Sequence, residues 1–526
     1  MIAPEQAAGR RPAPADVPGN DWTLLEPPDP AAAEALPAAA VLEAGGEARD
    51  GELSAAALAA QDYPPERLVV IRPGEERQPA AELVVLLPPG GLASPGLLRA
   101  HARWHALCAD AVSLGPAFAI ADEGLYPGAV APGASAELLE PRREQADDPF
   151  ELVCDLTREL TDPQHGLLAG AALGTMALRR ETLEAAGGLA PPGLGSWAHR
   201  RLDLFARLWS YGALFVPEPG ARAWAAGGHA ASALGREVAE AAVEGRTLEL
   251  RHPDLAGAVP LAPFRPVGSP LRFRRPAMAV TIEAGEEPAD EVLAAIGPIL
   301  GGRFGDFELI VRLAPGHPGR REIEAALAGD GRARLAEAEE AAGELPESPF
   351  AAWIPAVTWP DARTMQDLHR LLVSEGVGAL HVTVPGAPPA EAMIEAVATG
   401  ALARARRVAE ATGEPAEVAL GRLFGERWHS GVEVSARRHG VEEPHVTEHG
   451  PLSAATDIEH ERVQHLRFRD RAASFEQQAE ETERKVLAER LRVREERRRA
   501  EALSARLHRI RGDEPPAAPA DRAGPG

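Results

Sequence analysis

The sequence predicts an α/β protein with two successive sheet-bearing units and a long charged helix behind them. Three observations lead there. Near-continuous apolar runs of strand length, "ERLVVIRPG" at 66–74 and "AELVVLLPPGG" at 81–91, alternate with helical stretches such as "SPGLLRAHARWHALCAD" at 94–110. Such runs suit a largely parallel sheet covered on both faces, and the alternation is the α/β signature. The same cycle starts again near residue 276. From 459 to 511 the chain holds neither Gly nor Pro.

Taken in order, residues 1–36 read as a disordered arm, because "MIAPEQAAGRRPAPADVPGN" is Pro/Ala-rich and has no apolar period. Residues 37–250 form the first unit, and the Pro-rich stretch 251–275 reads as a linker. The second unit spans 276–430: "AMAVTIEAG" is a strand, "PADEVLAAIGPILGG" a helix and "FGDFELIVRL" a strand. "DARTMQDLHRLLVSEG" is a helix and "VGALHVTVPG" a strand. Residues 431–458 read as a loop region, 459–511 as a charged helix or weak coiled coil, and 512–526 as a disordered tail. In the charged helix Ala472, Ala479, Val486, Val493, Ala500 and Leu507 recur every seven residues. The companion row holds Phe475, Thr482, Leu503 and Ile510, but also Glu489 and Glu496. A solvated helix and a seam for a homodimer or partner protein are both open to it.

Composition excludes several classes. The net charge of −24 argues against nucleic acid and anionic membrane surfaces as partners. Lys485 is the sole lysine, so neither a Schiff-base lysine nor a P-loop lysine can sit in the α/β units. Two cysteines, Cys108 and Cys154, lie among apolar residues and support neither a disulfide framework nor a Cys-rich metal site. There is no signal-peptide pattern and no apolar run of the ~18 residues that span a bilayer, so a cytoplasmic setting is expected.

Four segments, in order, carry a resemblance. They are "LSAAALAAQDYPPERLVVI" (53–71), "AELVVLLPPGGLASPGLLRAHARWHALCADAVSLGP" (81–116), "GTMALRRETLEAAGGL" (174–189) and "RRLDLFARLWSYGALFVPEP" (200–219). Together they resemble family 2 glycosyltransferases. "VTIEAGEEPADEVLAAIGPILGGRFGDFELIVRL" (280–313) and "FAAWIPAVTWPDARTMQDLHRLL" (350–372) resemble the same family's opening strands and its Asp-x-Asp strand. The resemblance implies two tandem domains of the GT-A, nucleotide-diphospho-sugar transferase type. It implies transfer of a sugar from a nucleotide-sugar donor to a glycan or small acceptor. It also implies a divalent magnesium or manganese ion on strand-end carboxylates, and a further carboxylate as base.

The sequence departs from that pattern at each of these places. "PPGG" (88–91) follows the strand where the Asp-x-Asp motif belongs, and Glu75 and Glu76 come late after the preceding strand. Arg200 and Arg201 replace the acidic pair of the acceptor helix, with Arg201 at the position of the base. Asp203 matches the later acid of that motif and is the candidate catalytic carboxylate, although an acid near a helix start also meets backbone N–H groups. Arg200 and Arg201 are candidates for binding a diphosphate without metal, because guanidinium suits phosphate; a solvated surface is the alternative. Asp361 reads as a helix cap, and Asp110 as structural. His429, His439, His445 and His449 lie close in sequence, but no metal-binding helical pair frames them, and Trp428 reads as a packing residue. A degenerate transferase and a non-catalytic scaffold or regulator acting through its C-terminal helix are the two functional expectations.

Overall fold

The computed structural model describes residues 13–30, 36–42, 48–71, 81–121, 125–130, 133–139, 142–143, 149–161, 172–189, 197–226, 276–302, 304–337, 346, 348–384, 393–430, 434 and 436–438. All of them belong to one compact unit, Met1–His445. The expected linker 251–275, helix 459–511 and tail 512–526 lie outside the described residues.

The first half of the unit runs β1 (Ala38–Leu42), α1 (Ala48–Ala59), β2 (Leu68–Ile71), β3 (Leu83–Leu87), β4 (Gly91–Ala93) and α2 (Leu97–His105). It continues with β5 (Ala111–Gly115), β6 (Ala117–Ile120), α3 (Pro149–Leu156), β7 (Thr175–Arg179), α4 (Arg180–Ala185), α5 (Trp197–Tyr211), β8 (Leu214–Pro217) and β9 (Ala223–Ala226). Among the described residues the main sheet has six strands in the order β2-β1-β3-β7-β5-β8. Only β7 is antiparallel to its neighbours. β3, β5 and β8 are buried along their whole length, which is why they read as unbroken apolar runs. The expected strand 81–91 is divided: the turn at Pro88–Gly90 ends β3, and Gly91 opens β4 in a second, three-stranded sheet β4-β9-β6.

The second half runs β10 (Met278–Ala284), α6 (Ala289–Leu300), β11 (Phe307–Leu313), α7 (Arg320–Leu327), β12 (Ala333–Glu337), β13 (Phe350–Pro355) and β14 (Thr358–Pro360). After these come α8 (Thr364–Glu375), β15 (Ala379–Thr383), β16 (Met393–Ala398), α9 (Thr399–Thr412), α10 (Ala416–Phe424), β17 (Glu426–Ser430) and β18 (Ala436–Arg438). Its sheet has the order β12-β11-β10-β13-β16-β15-β17, and only β16 is antiparallel to its neighbours. The two sheets share one wiring. β1, β2, β3, β5, β7 and β8 stand where β10, β11, β13, β15, β16 and β17 stand, and β12 is the additional strand. The small antiparallel pairing repeats as well, β4 with β9 and β14 with β18. β18 falls inside the expected loop region 431–458.

One face of the second sheet packs on α6, α7 and α8 around Val280, Ile282, Leu309, Val311, Ile296 and Leu368. The other face is covered by α9 and α10 where the strands begin, around Ala351, Ala379, Val397, Ala405 and Leu420. β11 alternates buried and half-buried residues, as a strand covered mainly on one side does.

The halves meet where α5 packs on α9. Gly212, at φ +77°, and Gly400 let the backbones touch: a Cβ on either would overlap a carbonyl of the other helix region. Part of the expected arm 1–36 is ordered as a strap over this junction. Ala15 and Val17 are buried against Trp104, Cys108, Leu214 and Val216, with Trp22 and Leu25 packed alongside. The Asn20 amide donates to Leu160 O and Phe215 O and accepts from Phe215 N, so it acts as a bridge between loop and strand. Gly19 N donates to Leu423 O at 2.7 Å. The scattered apolar residues Val17, Trp22 and Leu25 suffice to dock this piece, although they set no period.

Candidate functional site

Parallel α/β sheets bind ligands outside the carboxyl ends of their strands. In the first sheet that edge gathers Pro88 after β3, Gly115 at the end of β5, Thr175 at the start of antiparallel β7, and Glu218 after β8. Gly115 is required there, because a Cβ would run into the Ala221 carbonyl and the Thr175 hydroxyl.

Beneath this edge lies a buried polar chain. α2 turns His101 and His105, one helical turn apart, toward β5 and β7. His101 Nδ1 lies 2.8 Å from Ser113 Oγ, and its Nε2 lies 3.1 Å from Thr175 Oγ1. His105 Nε2 lies 3.1 Å from the same Ser113 oxygen, and Thr175 Oγ1 donates to Ala221 O at 2.9 Å. One proton arrangement satisfies all four contacts. Thr175 gives its proton to Ala221 and accepts from His101 Nε2–H; Ser113 gives its proton to His101 Nδ1 and accepts from His105 Nε2–H. Both imidazoles are then neutral. Burial holds His101 well below the ordinary histidine range, reinforced by His105 and Arg201. Burial, with the nearby Arg179, brings His105 down to about 3.

The sign of the pH dependence follows. In the unfolded chain both rings take up protons below pH ~6.5, whereas the folded chain refuses them. Stability is therefore full above pH ~6.5 and is lost as pH falls from there toward the folded values. Each histidine costs about 1 kcal/mol per pH unit over that window. Urea-unfolding midpoints are expected to drop between pH 6.5 and 4.5. In His105→Gln, whose amide still donates to Ser113, about half of that slope should disappear; an unchanged slope would show that the pair does not refuse protons.

Glu218 is a carboxylate at this edge that sequence reasoning missed. Arg103 Nε and Trp104 Nε1 donate to its Oε2 at 2.6 and 2.9 Å, and Gly220 N donates to Oε1 at 3.0 Å. Burial raises its pKa, with Arg103 and Trp104 pulling it back. Its signal was a lone acid in the Pro-Glu-Pro-Gly turn closing an apolar strand. Ser113 and the two histidines gave a fainter one, as polar residues on apolar faces.

The sequence candidates sit on α5. Arg201 is 1% exposed, and its Nη1 lies 3.5 Å from Gly174 O, just before β7. Arg200, on the first turn, is half-buried. Asp203 faces elsewhere: its Oδ2 accepts from Arg207 Nε at 2.9 Å, and Arg207 also donates to the carbonyls of Ala186 and Gly188. Asp203 thus helps to clamp α5 onto the Gly187–Gly188 turn. The structure brings Arg201 to the sheet edge with His101 and Thr175 and leaves Asp203 outside that cluster.

The metal ion implied by the resemblance does not fit the residues described. β3 ends in Pro88, Pro89 and Gly90, and Glu218 is fully engaged by three donors. Among the described residues no group of three or more His, Cys, Asp or Glu side chains is placed to hold a metal. Glu75 and Glu76 lie outside them, as do His439, His445 and His449. His429 pairs with Glu375 at 3.1 Å. Asp361 was expected to cap α8, but the cap position is Arg363, without a side-chain cap; Asp361 instead accepts from Arg363 N at 2.6 Å in the turn before the helix. Asp110 is buried and paired with Arg407 at 2.9 Å. Trp428, expected to pack, is 58% exposed. No helix among the described residues is long and apolar enough to cross a membrane.

No family model and no curated protein matches the chain. Among solved structures it is similar to a mannosyltransferase from Pyrobaculum calidifontis in complex with GDP-Man and Mn2+, at 14% identity and a TM-score of 0.24, over 31% of this chain and 57% of that one. It is similar to S. aureus TarS in complex with UDP-GlcNAc, at 11% identity and a TM-score of 0.20, over 24% of this chain and 46% of that one. A third is glucosyl-3-phosphoglycerate synthase from Mycobacterium tuberculosis with Mn2+, UDP-glucose and phosphoglyceric acid, at 15% identity and a TM-score of 0.21, over 30% of this chain and 69% of that one. The chain thus spans about half the length of the first two. Matches of this extent do not by themselves define a shared fold.

Proposed function

We propose that this chain is a glycosyltransferase-like protein of the GT-A type, built as two tandem copies, whose first sheet binds a nucleotide sugar without a metal ion. The supporting observation is the shared wiring. The four resembling segments supply β2, β3, β5, β7, β8 and α5 of one sheet layer, and the second sheet repeats that order strand for strand. On this reading Arg200 meets the donor diphosphate, and the buried Arg201 guanidinium supplies the fixed positive charge that a divalent ion would otherwise supply. Asp203 reaches a substrate only by leaving Arg207. The acceptor, a glycan or small hydroxyl compound, would then meet the edge from the α5 side, in a cytoplasmic setting.

The replacement of the base position by Arg201 favours a second reading, a non-catalytic scaffold or regulator that no longer binds a nucleotide. Its partner, or a second copy, would be engaged through 459–511. Calorimetry with UDP and GDP separates the two. On the first reading a diphosphate binds equally with manganese or with chelator, and Arg200→Ala weakens binding about tenfold or more. Absence of binding by either nucleotide under both conditions overturns it. A chain ending at residue 445 that loses its partner or its oligomeric state would then support the scaffold.

A further inference from the structure

After α3 three successive residues stand in the left-handed region of backbone space: Arg158 at φ +51°, Glu159 at +56° and Leu160 at +64°. Among the described residues no other non-glycine has a positive φ. A single left-handed residue commonly ends a helix, and it is usually Gly or Asn. Here there are three, and each carries a Cβ that disfavours the conformation by about tenfold. Arg158 and Glu159 are exposed, so packing of their side chains does not select it. Bonds within the loop close it. Glu159 N donates to Cys154 O at 2.8 Å, Leu160 N to Thr157 Oγ1 at 3.1 Å, and Thr161 Oγ1 to Arg158 O at 2.7 Å.

Among the described residues, the hydrogen bonds that reach this loop from elsewhere come from the strap. Trp22 Nε1 donates to Glu159 O at 2.6 Å, and Asn20 Nδ2 donates to Leu160 O at 2.7 Å. Asn20 is 5% exposed and has no group to spare. Its second N–H meets Phe215 O at 2.6 Å, and its Oδ1 accepts from Phe215 N at 2.9 Å. The same two strap residues also reach the carboxyl edge of the first sheet. Phe215 lies in β8, the strand that Glu218 follows. Trp22 stands edge-on to Trp104, with ring centroids 5.7 Å apart at 89°, and Trp104 Nε1 donates to Glu218 Oε2 at 2.9 Å. On its other side the strap is tied to the second half, by Gly19 N to Leu423 O, Arg404 to Gly19 O and Arg422 to Asp16. A backbone segment with two discrete states, left-handed or relaxed, thus shares its fastenings with the edge carboxylate.

We infer that the strap is a conformational clasp on the first sheet. Docked, it keeps residues 158–160 left-handed and Glu218 seated against Trp104. Undocked, the loop relaxes toward right-handed backbone, and the end of β8 loosens with it. The strain in the loop favours release, so the two states lie closer in free energy than the contacts of the strap alone would place them. Docking of the amino-terminal segment thereby regulates whether the first sheet presents a formed carboxyl edge. The regulation is independent of which ligand that edge takes.

The test is a double-mutant cycle on the full chain, read by urea unfolding. Glu159→Gly removes a Cβ from left-handed backbone and should raise the folding constant about threefold or more, whereas glycine at an ordinary exposed position lowers it. In Asn20→Ala, with the clasp open, the same change should bring no gain. Amide hydrogen exchange is the second readout. Asn20→Ala should speed exchange at Glu159, Leu160 and Glu218 tenfold or more and leave β10 and β11 at the parent rates. If Asn20→Ala does not fold, Trp22→Phe takes its place in both measurements; it keeps a ring beside Trp104 and removes the bond to Glu159 O. An equal gain from Glu159→Gly in both backgrounds would show that the loop is left-handed on its own and overturns the proposal, as does the lack of any gain in the parent. Exchange that rises at Glu159 and Leu160 but not at Glu218 overturns it too, because the edge then does not answer to the clasp.

Discussion

Asp110→Ala is expected to destabilise the compact unit by about 3–5 kcal/mol, read from urea unfolding. The side chain is buried between the two halves. Its Oδ1 accepts from Ala15 N at 2.7 Å and from the Cys108 thiol at 2.9 Å, and its Oδ2 accepts from Arg407 Nη2 at 2.9 Å. Arg407 also donates to the carbonyls of Tyr211 and Gly212 and lies over the Tyr211 ring. Arg404, fully buried beside it, is brought down to about 10 by its burial, and Asp110 is the charge that opposes this. Without the carboxylate, the buried Arg404 and the half-buried Arg407 lose the anion between them, which is the costly way to break a buried pair. The double change Asp110→Ala with Arg407→Met should cost clearly less than the sum of the two single changes, because the cycle removes both ends of one interaction. Strict additivity would mean that the two side chains act independently.

Gly400→Ala should cost about 3 kcal/mol, although alanine is the better helix former. The added methyl group would overlap the Trp209 carbonyl, and a Cβ on Gly212 would overlap the Gly400 carbonyl in return. Backbone is on both sides of the contact, so no side-chain rotation relieves it. Gly51 is the control. It lies inside α1 with no atom from outside its own helix turn within 4 Å of an added Cβ, and Gly51→Ala should stabilise by about 0.5–1 kcal/mol. Equal effects at the two glycines would show that α5 and α9 do not cross closely.

These two sites show where sequence reasoning stops. The second half was legible because Val, Ile, Leu and Phe alternate in β10, β11 and β15, and because α6 and α8 carry apolar residues at helical spacing. β1 was not legible. Its Ala38, Ala39 and Ala40 favour helix in isolation, and only pairing on both sides with β2 and β3 makes them a strand. The site was legible in its order and not in its contacts. The arginines of α5 stand out against an acidic motif, whereas His101 meets partners 12 and 74 positions away that no local pattern announces. Arg407 and Asp110 are 297 positions apart, and neither end carries a local sign of the other.

The strap has a consequence for how the chain is made. Arg404 holds Gly19 across 385 positions, and Arg422 holds Asp16 across 406. During synthesis the first sheet can close while the ribosome still elongates, but the segment near Gly19 has no complete seat until α10 has emerged. Biosynthesis therefore passes through a stage in which the amino-terminal strap waits, half-docked on Trp104 and Leu214, for the far end of the chain. A bulky fusion at the amino terminus would be felt at that late locking step rather than in the early folding of the first sheet.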